Sequence, residues 1–259
     1  MLRSLYSGIS GLRTHQVRMD VVANNIANVN TTGFKSARAN FQDVLAQTIG
    51  RTAINTTQVG LGVGLAAIDN IHTQGALQTT GRVLDLAIEG NGFFVVTDAS
   101  NNEFYTRDGT FYVDSGGYIV NAQGYRVRVE SGTQPFPNPG QIASISVSTD
   151  GTVTATYSDG STQTCRIGLV TFNNVESLRR VGSNLWDVTS GLTLPDPPTI
   201  GVPGTEGRGI IRSGYLEMSN VDLAQEFTNM IIAERGFQAN SRIITSADQM
   251  LQDLVNIKR

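Results

Sequence analysis

The chain has 259 residues, 39% of them apolar and 16% charged, and carries a formal net charge of −3. That is length enough for one large domain or two modest ones around a real hydrophobic core. With lysine only at Lys35 and Lys258, it lacks the basic face that neutralises phosphates, which excludes nucleic acid as a partner.

From Met1 to about Val29 there is no proline, and Leu5, Leu12, Met19 and Ile26 recur seven apart. Leu2, Ile9, Val22 and Val29 occupy the adjoining lines. A repeat of seven marks helices that supercoil on one another, and Gly33 suits the C-terminal end of such a helix. This opening stretch, MLRSLYSGISGL, lacks the continuous apolar core of a cleavable signal peptide. The chain has no run of eighteen apolar residues, so no membrane insertion is expected. A surface-lying amphipathic helix would want a basic polar face, and here Arg13 and Arg18 are mixed with Asp20 and asparagines.

Residues 33–70 read as a linker or extended connecting region, richest in Gly, Thr and Asn between Thr48 and Gly64. Within it, Gly62-Val63-Gly64-Leu65-Ala66-Ala67 fits a dinucleotide fingerprint, with Asp85 downstream. That motif requires a strand before it and a helix after it, and neither is expected here. Over residues 71–194 the period changes to two. Ile145 and Val147, then Val153, Ala155 and Tyr157, then Cys165, Ile167 and Leu169 alternate with polar residues, and Asp150-Gly151 and Asp159-Gly160 turn the chain. Such spacing predicts an antiparallel β domain of many short strands. A Pro/Gly-rich connector, 195–216, leads to a second helical stretch at 217–259. There Leu223, Met230, Phe237, Ile244 and Leu251 lie seven apart, and Ala233, Asn240, Ala247 and Leu254 follow on the next line. Ser219 or Asn220 is the expected N-cap, with Asp222 in the first turn. The fold class is therefore α+β: discontinuous terminal coiled-coil helices, 1–32 and 217–259, flanking an inserted antiparallel β domain.

No constellation for catalysis, cofactor or metal emerges. Asp98, Ser100 and Asn102 open like a calcium loop, but Glu103 and Gly109 stand where glycine and glutamate are needed. Asp85 and Glu89 read as polar positions around buried leucines. Cys165, the single cysteine, alternates in phase with Ile167 as a small buried hydrophobe. His15 and His72 are too far apart in sequence to suggest a zinc site. Trp186 reads as a core anchor. Magnitude points elsewhere. Burying five large side chains is worth roughly 1.5–3 kcal/mol each, so the C-terminal stripe needs a partner of considerable area. Other copies of the chain are the natural source.

Several blocks then resemble one family. Residues 22–35, VANNIANVNTTGFK, carry Asn24, Asn25, Asn28, Gly33 and Phe34 and are similar to the N-terminal signature of the rod and hook proteins of the bacterial flagellum. RVLDLAIEGNGFF at 82–94, YTRDGTF at 105–111 and the closing block 214–259 resemble further shared stretches in the same order. The resemblance implies a structural subunit, without enzymatic activity or cofactor, that polymerises with copies of itself into a helical hollow tube. Helices pairing through Leu5, Leu12, Met19, Ile26, Leu223, Met230, Phe237, Ile244 and Leu251 would form an inner layer, and the β domain an outer one. It also implies contact with other axial proteins (distal rod, hook–filament junction, hook cap), export through the flagellar machinery without a cleaved signal, and a place in the hook or basal body. The wording of 214–259 and the short stretch Gly50–Gly60 are closer to a compact hook protein, a flexible torque-transmitting joint. The distal rod is the alternative. A β-domain carbohydrate-binding module with a cleft flanked by Trp186 or Tyr105 is the rival from another class.

Overall fold

The computed structural model describes residues 2–51, 56–132, 134–188 and 199–257. The side chains of Leu2 and Leu254, both assigned to helical seams above, lie outside the described residues. So do 189–194 at the end of the expected β span and 195–198 of the second connector. A helix, mainly antiparallel strands and a second helix give the expected α+β class. The described chain divides into two compact units, one of residues 2–29, 36–71 and 221–257, the other of Asn30–Lys35 and His72–Asn220.

The first unit holds both long helices, α1 (Leu2–Ala27) and α2 (Leu223–Ile257). They run antiparallel. A Cβ added at Gly8 would meet Ile244, one at Gly11 would meet Asn240, and one at Gly236 would meet the His15 ring. Further along, Arg18 donates to Asn229 and Asn25 to Glu226. Small residues at these crossings let the two backbones approach closely. Continuing the register sets Leu2 opposite about Gln249, so Met250–Ile257 extend beyond the start of α1.

Both helix ends depart from expectation. α1 stops at Ala27, well before Gly33, and its last turn is closed by the Asn28 side chain, whose Nδ2 donates to the Asn24 carbonyl at 2.9 Å. At the start of α2 the cap is Asp222 instead of Ser219 or Asn220. Its Oδ1 accepts from the backbone N–H groups of Ala224 at 2.8 Å and Gln225 at 3.3 Å. An Asp in that position also complements the positive end of the helix dipole.

Four paired strands lie within the stretch 33–70 that reads as a connector. β1 (Ala37–Asp43), β2 (Ala46–Arg51), β3 (Thr56–Gly60) and β4 (Val63–Asn70) form an arm in which β1 pairs with β4 and β2 with β3, all antiparallel. Arg38 reaches Asp69 across the β1–β4 ladder at 3.6 Å, and Asn40 hydrogen-bonds the same carboxylate. Gly64–Ala67 therefore lie on a strand, and the helix demanded by the dinucleotide fingerprint is absent at that place.

The second unit is built on an antiparallel sheet in the spatial order Leu178–Gly182, Leu185–Val188, Glu103–Thr106, Phe93–Thr97, Arg126–Val127, Ile119–Asn121, Phe111–Val113, with Leu169–Val170 also paired to Phe93–Thr97. A four-stranded sheet runs Val129–Gly132, Thr162–Ile167, Thr152–Tyr157, Ile142–Val147. The strand Phe93–Thr97 shows why its sequence is apolar without alternation. Phe94 and Val96 enter a core with Leu86, Phe111, Ile119, Ile167 and Ile211, while Phe93 and Val95 enter a second one with Tyr105, Leu178 and Trp186. Cys165 is buried in the first core as expected, and burial pushes its thiol up to about 11. Asp98–Asn102 form a hairpin loop closed by the Asp98 N–H donating to the Asn102 carbonyl.

Candidate functional site

On α1 the most deeply buried positions are Gly8, Gly11, Thr14, Val22 and Asn25, and on α2 they are Ala233 and Ala247. The large residues named from the sequence sit beside this line. Leu5, Leu12, Met19, Ile26, Met230, Phe237, Ile244 and Leu251 are half-buried, and Leu223 is exposed. Close backbone approach thus claims the small-residue line, and the large stripe keeps area that a single chain leaves uncovered. α2 adds Phe227, Ile231, Ile232, Ile243, Met250, Val255 and Ile257, all exposed, and α1 adds Tyr6 and Ile9. Apart from Ile9, none of these was singled out from the sequence, because they fall off the heptad lines.

The signature residues divide between the two units. Asn24 is exposed, and Asn28 caps α1. Asn25, 1% exposed, donates from Nδ2 to the Ala37 carbonyl at 2.8 Å and to Glu226 at 3.0 Å, and its Oδ1 accepts from the Ala37 N–H at 3.0 Å. One amide thereby ties α1 to both the arm and α2, which an apolar residue of the same size cannot do. Phe34 is buried in the second unit under the Arg180 guanidinium, 4.6 Å from its ring centroid.

Beside Phe34 lies a buried ion cluster that the sequence reading missed. Glu217, 1% exposed, accepts through Oε1 from Lys35 Nζ and from the Gly75 N–H at 3.0 Å, and through Oε2 from Arg107 at 3.3 Å. Lys35 also donates to the Thr73 carbonyl at 2.8 Å, and the Glu217 carbonyl accepts from the Gly33 N–H at 2.8 Å. One carboxylate therefore gathers four stretches: residues 33–35, which follow α1 in sequence; 73–75; Arg107; and the strand Tyr215–Glu217, which precedes α2. Burial lowers the basicity of both Lys35 and Arg107, and the Glu217 charge opposes that shift. The rarity of lysine was the one hint in the sequence; nothing in it pairs Lys35 with a residue 182 positions away.

His72 lies against this cluster, its ring 4.7 Å from that of Trp186 and 6.0 Å from that of Phe93. Neither ring nitrogen has a hydrogen-bond partner among the described residues. Burial first, then the Lys35, Arg107 and Arg180 charges, lowers its pKa from 6.5 to about 4. Folding therefore favours the neutral ring. Its contribution to stability is complete above pH 6.5 and is lost as the pH falls toward 4. His72→Phe should flatten that part of the pH dependence, as measured by denaturant midpoints at about pH 7 and about pH 5 for both proteins. Equal slopes in the two would show that His72 does not titrate in this window.

Trp186 and Tyr105 are 2% and 4% exposed, so neither offers a ring to a ligand and the carbohydrate-cleft reading loses its platform. Among the described residues, no group of three His, Cys, Asp or Glu side chains could hold a metal ion.

Three family profiles match in chain order. Residues 5–35 match the flagella basal body rod protein, 87–155 the D1 domain of the flagellar hook protein FlgE/F/G, and 212–257 the C-terminal part of the flagellar basal body rod FlgEFG proteins. The flagellar basal-body rod protein FlgG of Bacillus subtilis is 48% identical, over the full length of both chains. The chain belongs to the flagellar rod and hook protein family. It is a structural, axial component of the flagellum. The FlgG rod protein of Borreliella burgdorferi is 39% identical, again over both full lengths. The flagellar hook protein FlgE of Treponema pallidum is 53% identical, but over 42% of this chain and 25% of its own.

Proposed function

We propose that the protein is a subunit of the distal rod of the flagellar basal body, polymerising with copies of itself into a hollow helical tube. The observation carrying this reading is near-gapless likeness. The Bacillus subtilis rod protein aligns with all 259 residues in 269 positions, whereas the hook protein of Borreliella burgdorferi, 29% identical, needs 445. The short stretch Gly50–Gly60, which the sequence reading weighed against a rod, therefore does not separate this chain from rod relatives. The hook remains the second reading, favoured by the strong local match to the Treponema pallidum hook protein.

Polymerisation accounts for the uncovered apolar area. The half-buried stripe from Leu5 to Ile26 and from Met230 to Leu251, with Leu223, packs within and between subunits. A contact between two unlike patches whose rotation does not close gives an open helix of subunits. Neighbouring axial proteins at either end, and passage through the flagellar export machinery, follow from that role. Electron microscopy of the concentrated, purified chain should show straight tubes, and expression in a Bacillus subtilis strain lacking its own rod protein should restore swimming. Curved tubes would favour the hook, and discrete closed oligomers would refute both.

A further inference from the structure

Two of the uncovered apolar regions of the first unit differ in shape and in charge. One is a groove of about 450 Å³ between α1 and the strand arm, walled by Tyr6, Ile9, Val44, Leu61 and Leu65 and bordered by Arg13. Those five wall residues are exposed, and no α2 residue is among those lining the groove. The other is a ridge on the first turns of α2. Leu223, Phe227 and Ile231 follow at intervals of four, and all are exposed together with Ile232. At ~1.5 Å per residue the ridge is about 12 Å long.

Charge distinguishes the two. In α1 up to Val17 the charged residues are Arg3 and Arg13, both exposed, and on the arm the exposed Asp43 precedes Val44, which leaves the groove net positive. Around the ridge the charges are Asp222, Glu234 and Arg235, exposed, and Glu226, half-buried, a set that is net negative. Two grooves facing each other would oppose like charges, as would two ridges, whereas groove against ridge pairs basic with acidic. The ridge and the groove of one chain are both exposed, so each is free to meet its complement on a second copy.

We propose that the α2 ridge Leu223–Phe227–Ile231 of one copy seats in the α1–arm groove of the next, with Glu234 meeting Arg13. This rests on the polymer reading above and adds the pairing. The contact joins unlike patches, so each added subunit presents a fresh groove at one side and a fresh ridge at the other, which gives the polymer its polarity.

The test mixes Tyr6→Cys chains with Phe227→Cys chains under mild oxidation during assembly. Cys165 is 2% exposed and serves as an unreactive background, checked with the unaltered chain. The expected product is a disulfide between unlike variants, at least about tenfold over either like-with-like product. Tubes that form with only like-with-like crosslinks, or with none, overturn the pairing and leave self-assembly standing. Unaltered chains that form no polymer overturn both. In a second arm, Arg13→Glu and Glu234→Arg should each raise the concentration needed for assembly several-fold, and the double variant should restore it. Failure of that rescue in soluble, folded protein also overturns the pairing.

Discussion

Glu217→Gln is expected to destabilise the β unit by about 3–5 kcal/mol, the range for breaking a buried ion pair by removing one partner. The substitution keeps the shape but withdraws the one negative charge bonded to both Lys35 and Arg107, and it turns one accepting oxygen into an NH2 group that faces a donor. Both cations are buried, at 1% and 5% exposure, so water cannot take over the lost interaction without opening the structure. For a domain of this size each kcal/mol moves the melting temperature by roughly 2–4 °C, which places the expected drop at roughly 6–20 °C by calorimetry. The double variant Lys35→Met with Glu217→Gln should recover part of the loss, because one of the stranded charges is gone. A loss below about 1 kcal/mol in the single variant would mean that the cluster is no more valuable than a surface pair. Amide exchange should localise the effect. Residues 33–35, 73–75 and 215–217 should lose protection together, since a single carboxylate serves all three.

The sequence revealed features with a period and hid those without one. The seven-residue spacing of Leu5, Leu12, Met19 and Ile26 exposed α1, and Asp150-Gly151 and Asp159-Gly160 marked turns between real strands at Thr152–Tyr157 and Thr162–Ile167. The arm strands escaped notice because β2 and β3 pair with each other and the side chains described on them are exposed. A strand with no core face shows no apolar alternation. The caps were misplaced for a related reason. Asp222, Ser219 and Asn220 are all capable of accepting from free N–H groups, and only the backbone geometry selects Asp222. Helical large residues were legible, but which line of the helix faces its partner was not. Gly8, Gly11 and Gly236 decide that by allowing contact, and glycines carry no hydropathy signal. The Lys35–Glu217–Arg107 cluster joins three distant parts of the chain, so no local window contains it.

Gly33→Ala should be the most damaging single methyl group in the signature segment, costing roughly 2–5 kcal/mol. Two effects combine. Gly33 has φ of +67°, a left-handed conformation that costs an L-residue about 1–2 kcal/mol. The added Cβ would also stand 2.6 Å from the Asp108 nitrogen and 2.8 Å from the Arg107 carbonyl carbon. Those are backbone atoms and cannot swing aside, so overpacking of about 1–3 kcal/mol is added. Gly124→Ala separates the two effects. Gly124 has φ of +86° but nothing within 4 Å of the place its new methyl would occupy, so it should show the backbone penalty alone. The difference between the two variants in urea denaturation measures the clash. Should they cost the same, residues 107–108 must be able to retreat from Gly33 freely, and the Glu217 cluster beside them could not hold its geometry. The Gly33 N–H to Glu217 carbonyl bond links the two experiments: a shifted Gly33 should weaken the grip on Glu217, so that Gly33→Ala and Glu217→Gln combine less than additively.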